Sequence, residues 1–314
     1  MTMKNKTMIY LFLTYLSLAS VFAGESGSLR VFAPPLLQSN SIIQSDCNFS
    51  LSGITTKPFS DKNGEKFVIV LAEWLDPYAI KVPVKDNSFV LGIKGHSAGF
   101  KNYNLSIYDE VNNLSYRDLQ FGDVYIFLGQ SNADHPMGGW NGAPVTNSDW
   151  NIKHSDIYKN QVRYVRLNRQ YSDKPKSHFI NSEFSWKKLD RSTAPSLSAI
   201  AFFFIKYLTC EDNFKKRPIG IIDASMGGTK LASWLPAKVF NEKQLKDLAS
   251  FDEKVSDPVL RPFLYFNGMI SPLRGTKVKA FILYQGESDI NFPTGRYLYQ
   301  LKSYVQFYRE FFES

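Results

Sequence analysis

The sequence predicts an α/β domain with a mostly parallel sheet, preceded by a small β-sandwich-like domain. Three observations carry this prediction. Residues 29–119 hold short runs rich in Val, Ile, Phe and Tyr, divided by turn residues. From Gly122 onward, apolar runs alternate with helical patterns. The chain has 314 residues, 44% hydrophobic and 21% charged, which is room for about two domains and a sizeable core. That balance excludes a wholly disordered or low-complexity protein.

The amino terminus reads as a secretory signal. Lys4 and Lys6 supply the positive region, residues 8–18 the apolar one, and Val21-Phe22-Ala23 the small residues of a cleavage site. Cleavage is expected between Ala23 and Gly24. The competing reading is an uncleaved anchor, but a bilayer span takes about 20 mainly apolar residues, and 8–23 falls short. The division is therefore 1–23 signal peptide, 24–119 β-sandwich-like domain and 120–314 α/β domain. No membrane span is expected after cleavage. On a secretory route, Asn48, Asn104 and Asn113 each open an Asn-x-Ser glycosylation acceptor.

Within the first domain, residues 65–74, 79–84, 88–93 and 102–108 predict strands. Asp61-Lys62-Asn63-Gly64, Lys85-Asp86-Asn87 and the stretch from Gly95 to Gly99 separate them. His96 falls in that last loop and reads as a surface turn residue. In the second domain, 124–128 (VYIFL), 162–167, 218–224 (PIGIIDA) and 278–284 (VKAFILY) read as parallel strands buried on both faces. A packed helix is expected over 196–208, with Ser192 or Thr193 as its cap and Pro195 in its first turn. A second is expected over 297–312, where Leu298, Leu301, Val305, Tyr308 and Phe312 recur at helical spacing. Strands alternating with helices place chemistry in the loops beyond the carboxyl ends of the strands.

Three of those ends are rich in reactive groups. The first strand finishes in Gly129-Gln130-Ser131-Asn132, the third in Ser225-Met226-Gly227-Gly228-Thr229, the fourth in Gln285-Gly286-Glu287-Ser288-Asp289. A Ser on a tight turn can present Oγ as a nucleophile. A glycine lets a backbone N–H approach an oxyanion, and a neutral amide can donate a further hydrogen bond. Singly, each segment reads as a turn, a helix cap or a polar loop. Together they point to acyl transfer.

These segments resemble a known family. FGDVYIFLGQSN (121–132), RPIGIIDASMGGTKLASWLP (217–236) and FNGMISPLRGTKVKAFILYQGESD (266–289) are similar, in order, to three blocks of the sialate O-acetylesterases and the wider SGNH-type carbohydrate esterases. The resemblance implies a flavodoxin-like three-layer α/β/α domain and hydrolysis of acetyl esters on sugars, with no metal and no cofactor. It implies an O-acetylated carbohydrate as partner. Residue by residue, it makes Ser131 the nucleophile, with its own N–H as one oxyanion donor. Gly228, rather than Gly227, supplies another, and Gln285 donates from its side chain. Glu287 either holds the Gln285 loop or is a solvated carboxylate. After Asn132, where the family has Met, this chain departs with Ala133-Asp134-His135-Pro136-Met137-Gly138-Gly139.

A serine ester hydrolase also needs a base at Oγ, usually a carboxylate-oriented His. The family carries it on an Asp-x-x-His segment after the last strand. This chain shows no such segment; its four histidines are His96, His135, His154 and His178. Three readings stand: a sequence that stops short of the base, a short form that only binds glycans, or a resident substitute, for which His135 is the candidate. His154 and His178 read as surface residues.

The remaining features are plainer. The net charge of +8 comes from scattered residues, with Lys187-Lys188 and Lys215-Lys216-Arg217 the adjacent runs. No basic stripe interleaves with aromatics, so no nucleic-acid partner is expected. The 2 cysteines exclude a disulfide framework and an all-cysteine zinc site. Cys47 and Cys210 are expected to be free and buried.

Overall fold

The computed structural model describes residues 28–179, 184–252, 257–290 and 294–313; the expected signal peptide lies outside them. The first nine strands are β1 (Leu29–Ala33), β2 (Ile42–Gln44), β3 (Phe49–Thr55), β4 (Phe59–Ser60), β5 (Lys66–Ala72), β6 (Ala79–Lys85), β7 (Ser88–Ile93), β8 (Gly99–Tyr108) and β9 (Asn113–Gly129). Seven of them hydrogen-bond in the order β1-β3-β7-β6-β5-β8-β9, each pair antiparallel; β4 pairs antiparallel with β5, and β2 pairs in parallel with β9. Period-two alternation turns Phe49, Leu51, Val68 and Val70 inward, onto a core shared with Phe89, Leu105, Ile107 and Phe121. Asp86 and Asn87, with φ of 49° and 60°, make the two-residue hairpin from β6 to β7. Left-handed turns of this kind match the twist of the strands they join.

β9 is 17 residues long and belongs to both halves of the molecule. Its first part pairs with β8; from Asp123 it pairs in parallel with β12, and from Tyr125 to Gly129 it lies between β12 and β13, both parallel to it. The boundary expected between residues 119 and 120 thus falls inside a continuous strand. The remaining strands are β10 (Val162–Arg166), β11 (Lys187–Lys188), β12 (Ile219–Ser225) and β13 (Ala280–Tyr284). The order β13-β9-β12-β10 is parallel, and β11 adds an antiparallel edge. The helices are α1 (Ser131–Asp134), α2 (Ser148–Lys153), α3 (Ala199–Leu208), α4 (Glu242–Asp252) and α5 (Thr294–Glu313). Successive β9 residues feed opposite layers. Val124, Ile126 and Leu128 face the core that holds Trp234, Tyr304 and Tyr308, while Tyr125 and Phe127 face Phe202 and Ile205 of α3. This is the three-layer α/β/α arrangement.

The antiparallel and parallel parts of the sheet are joined by polar contacts around β9. Asp123, 1% exposed, accepts from Arg217 Nε and Nη2 at 2.8 and 2.9 Å. Arg217 Nη2 also donates to Ser45 Oγ, Gln44 Oε1 accepts from Val124 N–H, and Arg163 donates to the Asp118 carbonyl. Of the polar residues in 162–167, Arg163 therefore serves the joint.

Several local expectations change. The cap of α3 is Ser198, whose Oγ accepts from Ala201 N–H; Pro195 sits in a separate turn at Ala194–Ser196. β13 is half-exposed rather than buried on both faces, because among the described residues it pairs only with β9. His96 is half-buried, its ring between Tyr103 and Phe121. His178 is likewise half-buried, beside Phe32, whereas His154 is exposed. Both cysteines are free, but Cys210 is exposed and Cys47 half-buried.

Phe121 is fully buried where the antiparallel and parallel parts of β9 meet, edge-on to Trp74 and Tyr103. Phe121→Ala should cost about 3–5 kcal/mol through lost burial and a cavity, read as a lower midpoint in urea unfolding.

Candidate active site

Strand register assembles the site. Gly129 stands opposite Ser225 on β12 and Tyr284 on β13, so all three strands end in one row. The chain turns from Gly129 into α1 with Ser131 as the first helical residue. Gly227 packs on it: a Cβ there would lie 3.8 and 3.9 Å from Ser131 Cα and Cβ. Ser131 is half-buried, and Gln130 Nε2 stands 3.5 Å from its Oγ.

The loops are tied by side chains. Gln130, 3% exposed, accepts from Ser288 N–H at 2.9 Å, and Ser288 Oγ donates to the Gly228 carbonyl at 3.1 Å. Asn132 Nδ2 donates to Glu287, which fixes the loop after β13 against α1. Gln285 Nε2 donates to the Thr229 carbonyl at 2.9 Å and to Asp289 Oδ2 at 3.2 Å. Both amide protons expected for an oxyanion are thus engaged within the loops. Gly227 N–H donates to Asp134 Oδ2 at 3.1 Å, and Gly228 adopts φ of 79°. Among the described residues, Gly228 N–H has no protein acceptor.

Sequence reasoning missed Asp134. It is 2% exposed, three residues beyond Ser131, and its carboxylate accepts from Arg166, Arg169 and Gly227 N–H. The signal was an acid one helical turn after the Ser, on the same helix face. Its arginine partners lie at the end of β10 and in the loop that follows it. Arg166 also faces Asp223, whose carboxyl burial pushes up from its ordinary range despite that guanidinium. Asp289, 3% exposed, accepts from Leu231 N–H at 2.9 Å as well as from Gln285. Burial pushes its pKa up, against those hydrogen bonds and the charges of Lys230 and Arg296.

Among the described residues, no histidine ring hydrogen-bonds the Ser131 hydroxyl. His135 turns away: its Nε2 lies 2.8 Å from the Ala143 carbonyl oxygen and its ring stacks on Trp140. His154 stacks on Trp150, and His178 bonds Ser177.

A mostly parallel sheet between helical layers that gathers a serine, a glycine turn and a glutamine at adjacent strand ends is the plan of an SGNH-type esterase. The match to the family model described as carbohydrate esterase, sialic acid-specific acetylesterase, extends over residues 121–312. The chain belongs to this family. It is 25% identical over 205 residues to the sialate O-acetylesterases of Pongo abelii and Homo sapiens, matching 63% of this chain and 37% of each relative. The Rattus norvegicus enzyme is 22% identical over 241 residues, and 42% of its length is covered. The chain thus spans about two-fifths of the length of these relatives. A carbohydrate acetylesterase structure from Xanthomonas citri shares the fold with a TM-score of 0.72 at 22% identity, covering 92% of this chain and 58% of that one.

Two predictions follow from the buried carboxylates. Asp134→Ala frees the Gly227 turn and leaves two guanidiniums facing each other, so stability should fall by about 2 kcal/mol or more in chemical denaturation. For Asp289, the unfolded chain ionises near its ordinary value of about 3.9, while the fold resists ionisation. Its contribution is therefore most favourable below that value and declines as pH rises towards the raised folded pKa. Asp289→Asn should remove this decline, so the variant gains on wild type as pH rises from about 4. Asp223 shifts in the same direction, and the difference between the two proteins isolates Asp289.

Proposed function

We propose that this protein is a secreted carbohydrate O-acetylesterase that acts through Ser131. In this reading Ser131 Oγ attacks the acetyl carbonyl carbon, a base takes the hydroxyl proton, and the sugar oxygen leaves protonated. Water then hydrolyses acetyl-Ser131 to acetate. Ser131 N–H and Gly228 N–H are the oxyanion donors. Gln285 would join them by exchanging one of its present acceptors for the oxyanion. Glu287 holds the loop after β13 against α1. The observation that carries the reading is the packing of Ser131 against Gly227, with the 227–228 turn held by Asp134 and Ser288.

Family membership supports an acetylated sugar as substrate. The leader at residues 1–23 is the basis for secretion, and residues 24–119 and 120–314 are proposed as the two domains. Asn48, Asn104 and Asn113 are all exposed, as glycan attachment would require. No helix among the described residues is long and apolar enough to cross a membrane.

The orientation of His135 favours a second reading, a glycan-binding protein on an esterase scaffold. The two part on one experiment: acetate release from O-acetylated sialic acid, with and without added imidazole, for wild type and Ser131→Ala. The esterase reading expects a Ser131-dependent rate, lost by roughly a thousandfold or more in the variant and raised by imidazole if the base is what limits it. Equal rates for the two proteins under both conditions would end it. Saturable sugar binding with no Ser131-dependent turnover would establish the second.

A further inference from the structure

The segment after Ser131, where the chain departs from the family pattern, holds an exposed tryptophan in a fixed pose. Trp140 leaves 41% of its surface in water, although an indole is among the largest apolar groups a fold can bury. One side of the ring stacks on His135, with centroids 4.5 Å apart and planes 10° from parallel. His135 is itself held: its ring Nε2 lies 2.8 Å from the Ala143 carbonyl oxygen, and its backbone N–H donates to the Ser131 carbonyl, also at 2.8 Å.

The backbone around the indole is equally constrained. Trp140 and Ala143 exchange N–H···O bonds of 3.1 and 2.9 Å. Gly139 and Gly142, at φ of 76° and 78°, make the turns that allow it. The base of the loop is anchored by Met137 N–H and Gly138 N–H on the carbonyls of Leu197 and Pro195, with the Met137 side chain fully buried. The ring is ordered before any ligand arrives, so little conformational entropy is left to lose on binding.

Trp150 supplies an internal contrast. It is 58% exposed, but His154 stacks on its ring at 4.3 Å and Lys206 Nζ lies 5.2 Å from the ring centroid. Among the described residues, that indole is engaged by two groups of the protein, whereas the Trp140 ring is engaged by one. Asn141, next to Trp140 in the chain, is exposed and polar.

A flat apolar face with a polar rim is the complement of a pyranose ring, which has a C–H face and equatorial hydroxyls. We propose that Trp140 is the stacking platform of a sugar subsite beside Ser131, taking one pyranose ring of the carbohydrate. His135 caps the end of α1, four residues from Ser131 and about 6 Å from it at helical rise, so the platform sits on the segment that leaves Ser131. The inference rests on the proposed function for the choice of carbohydrate as ligand; the pose of the indole stands without it.

The test uses the full chain and the methyl glycosides of galactose, glucose and N-acetylneuraminic acid. In wild type, the Trp140 indole N–H resonance should shift saturably with at least one of them while that of Trp150 does not. Trp140→Leu should bind that sugar roughly tenfold more weakly, Trp140→Phe within a few-fold of wild type, and Trp150→Leu unchanged. The resonance reading needs no variant, so misfolding of Trp140→Leu does not spoil the test. Failure of all three sugars to shift the Trp140 resonance overturns the proposal, as does undiminished affinity in folded Trp140→Leu. Binding through Trp140 without Ser131-dependent acetate release keeps the platform and sinks the esterase reading. Acetate release with a sugar-ester KM indifferent to Trp140→Leu does the reverse.

Discussion

The approach of three backbones at Gly129 is the constraint on which the reactive edge depends. Gly129 ends β9 between β12 and β13, with φ of 143°. A Cβ there would lie 1.9 Å from the Tyr284 carbonyl oxygen and 3.0 Å from the Ala133 side chain. With no side chain, Gly129 O accepts from Met226 N–H at 2.9 Å while Gln130 N–H donates to Tyr284 at 3.3 Å. The turn into α1 can then start with β12 and β13 in hydrogen-bonding register. Any larger residue pushes β13 outward and carries Gln285, Glu287 and Ser288 away from Ser131.

Once the strand ends are in one row, polar side chains fix the loops. Gln130 to Ser288, Ser288 to Gly228, Asn132 to Glu287 and Asp134 to Gly227 form cross-links among three loops. Arg166 and Arg169 add the loop after β10 through Asp134. Networks of this kind hold donors in place before reaction, which is how a site stabilises developing charge without reorganising. The same network absorbs the Gln285 amide, so its two donors are committed inside the protein rather than aimed into the cleft.

Much of this was legible in the chain. Four apolar runs and three Gly- and Ser-bearing ends are local patterns, and local patterns survive in sequence. What was hidden depends on pairing across distance. Asp134 gains its meaning from arginines 32 and 35 residues away, and Gln130 from Ser288, 158 residues away. The length of β9 was underestimated because its first half is polar and alternating while its second is continuously apolar, two patterns that read as separate elements. The α3 cap differs from the expected one because Pro195 closes its own short turn before Ser198 caps the helix that begins at Ala199. Cys210 was expected inside on residue type alone, but it follows α3 at an exposed end.

The most direct test of the central claim, that these loops form an acyl-transfer site around Ser131, is to trap the acyl group. Protein mixed with 4-nitrophenyl acetate, quenched in acid and digested should yield a peptide carrying one acetyl group on Ser131. The Ser131→Ala protein should yield none there. Acetyl groups spread over lysines, with Ser131 unmodified, would contradict the account.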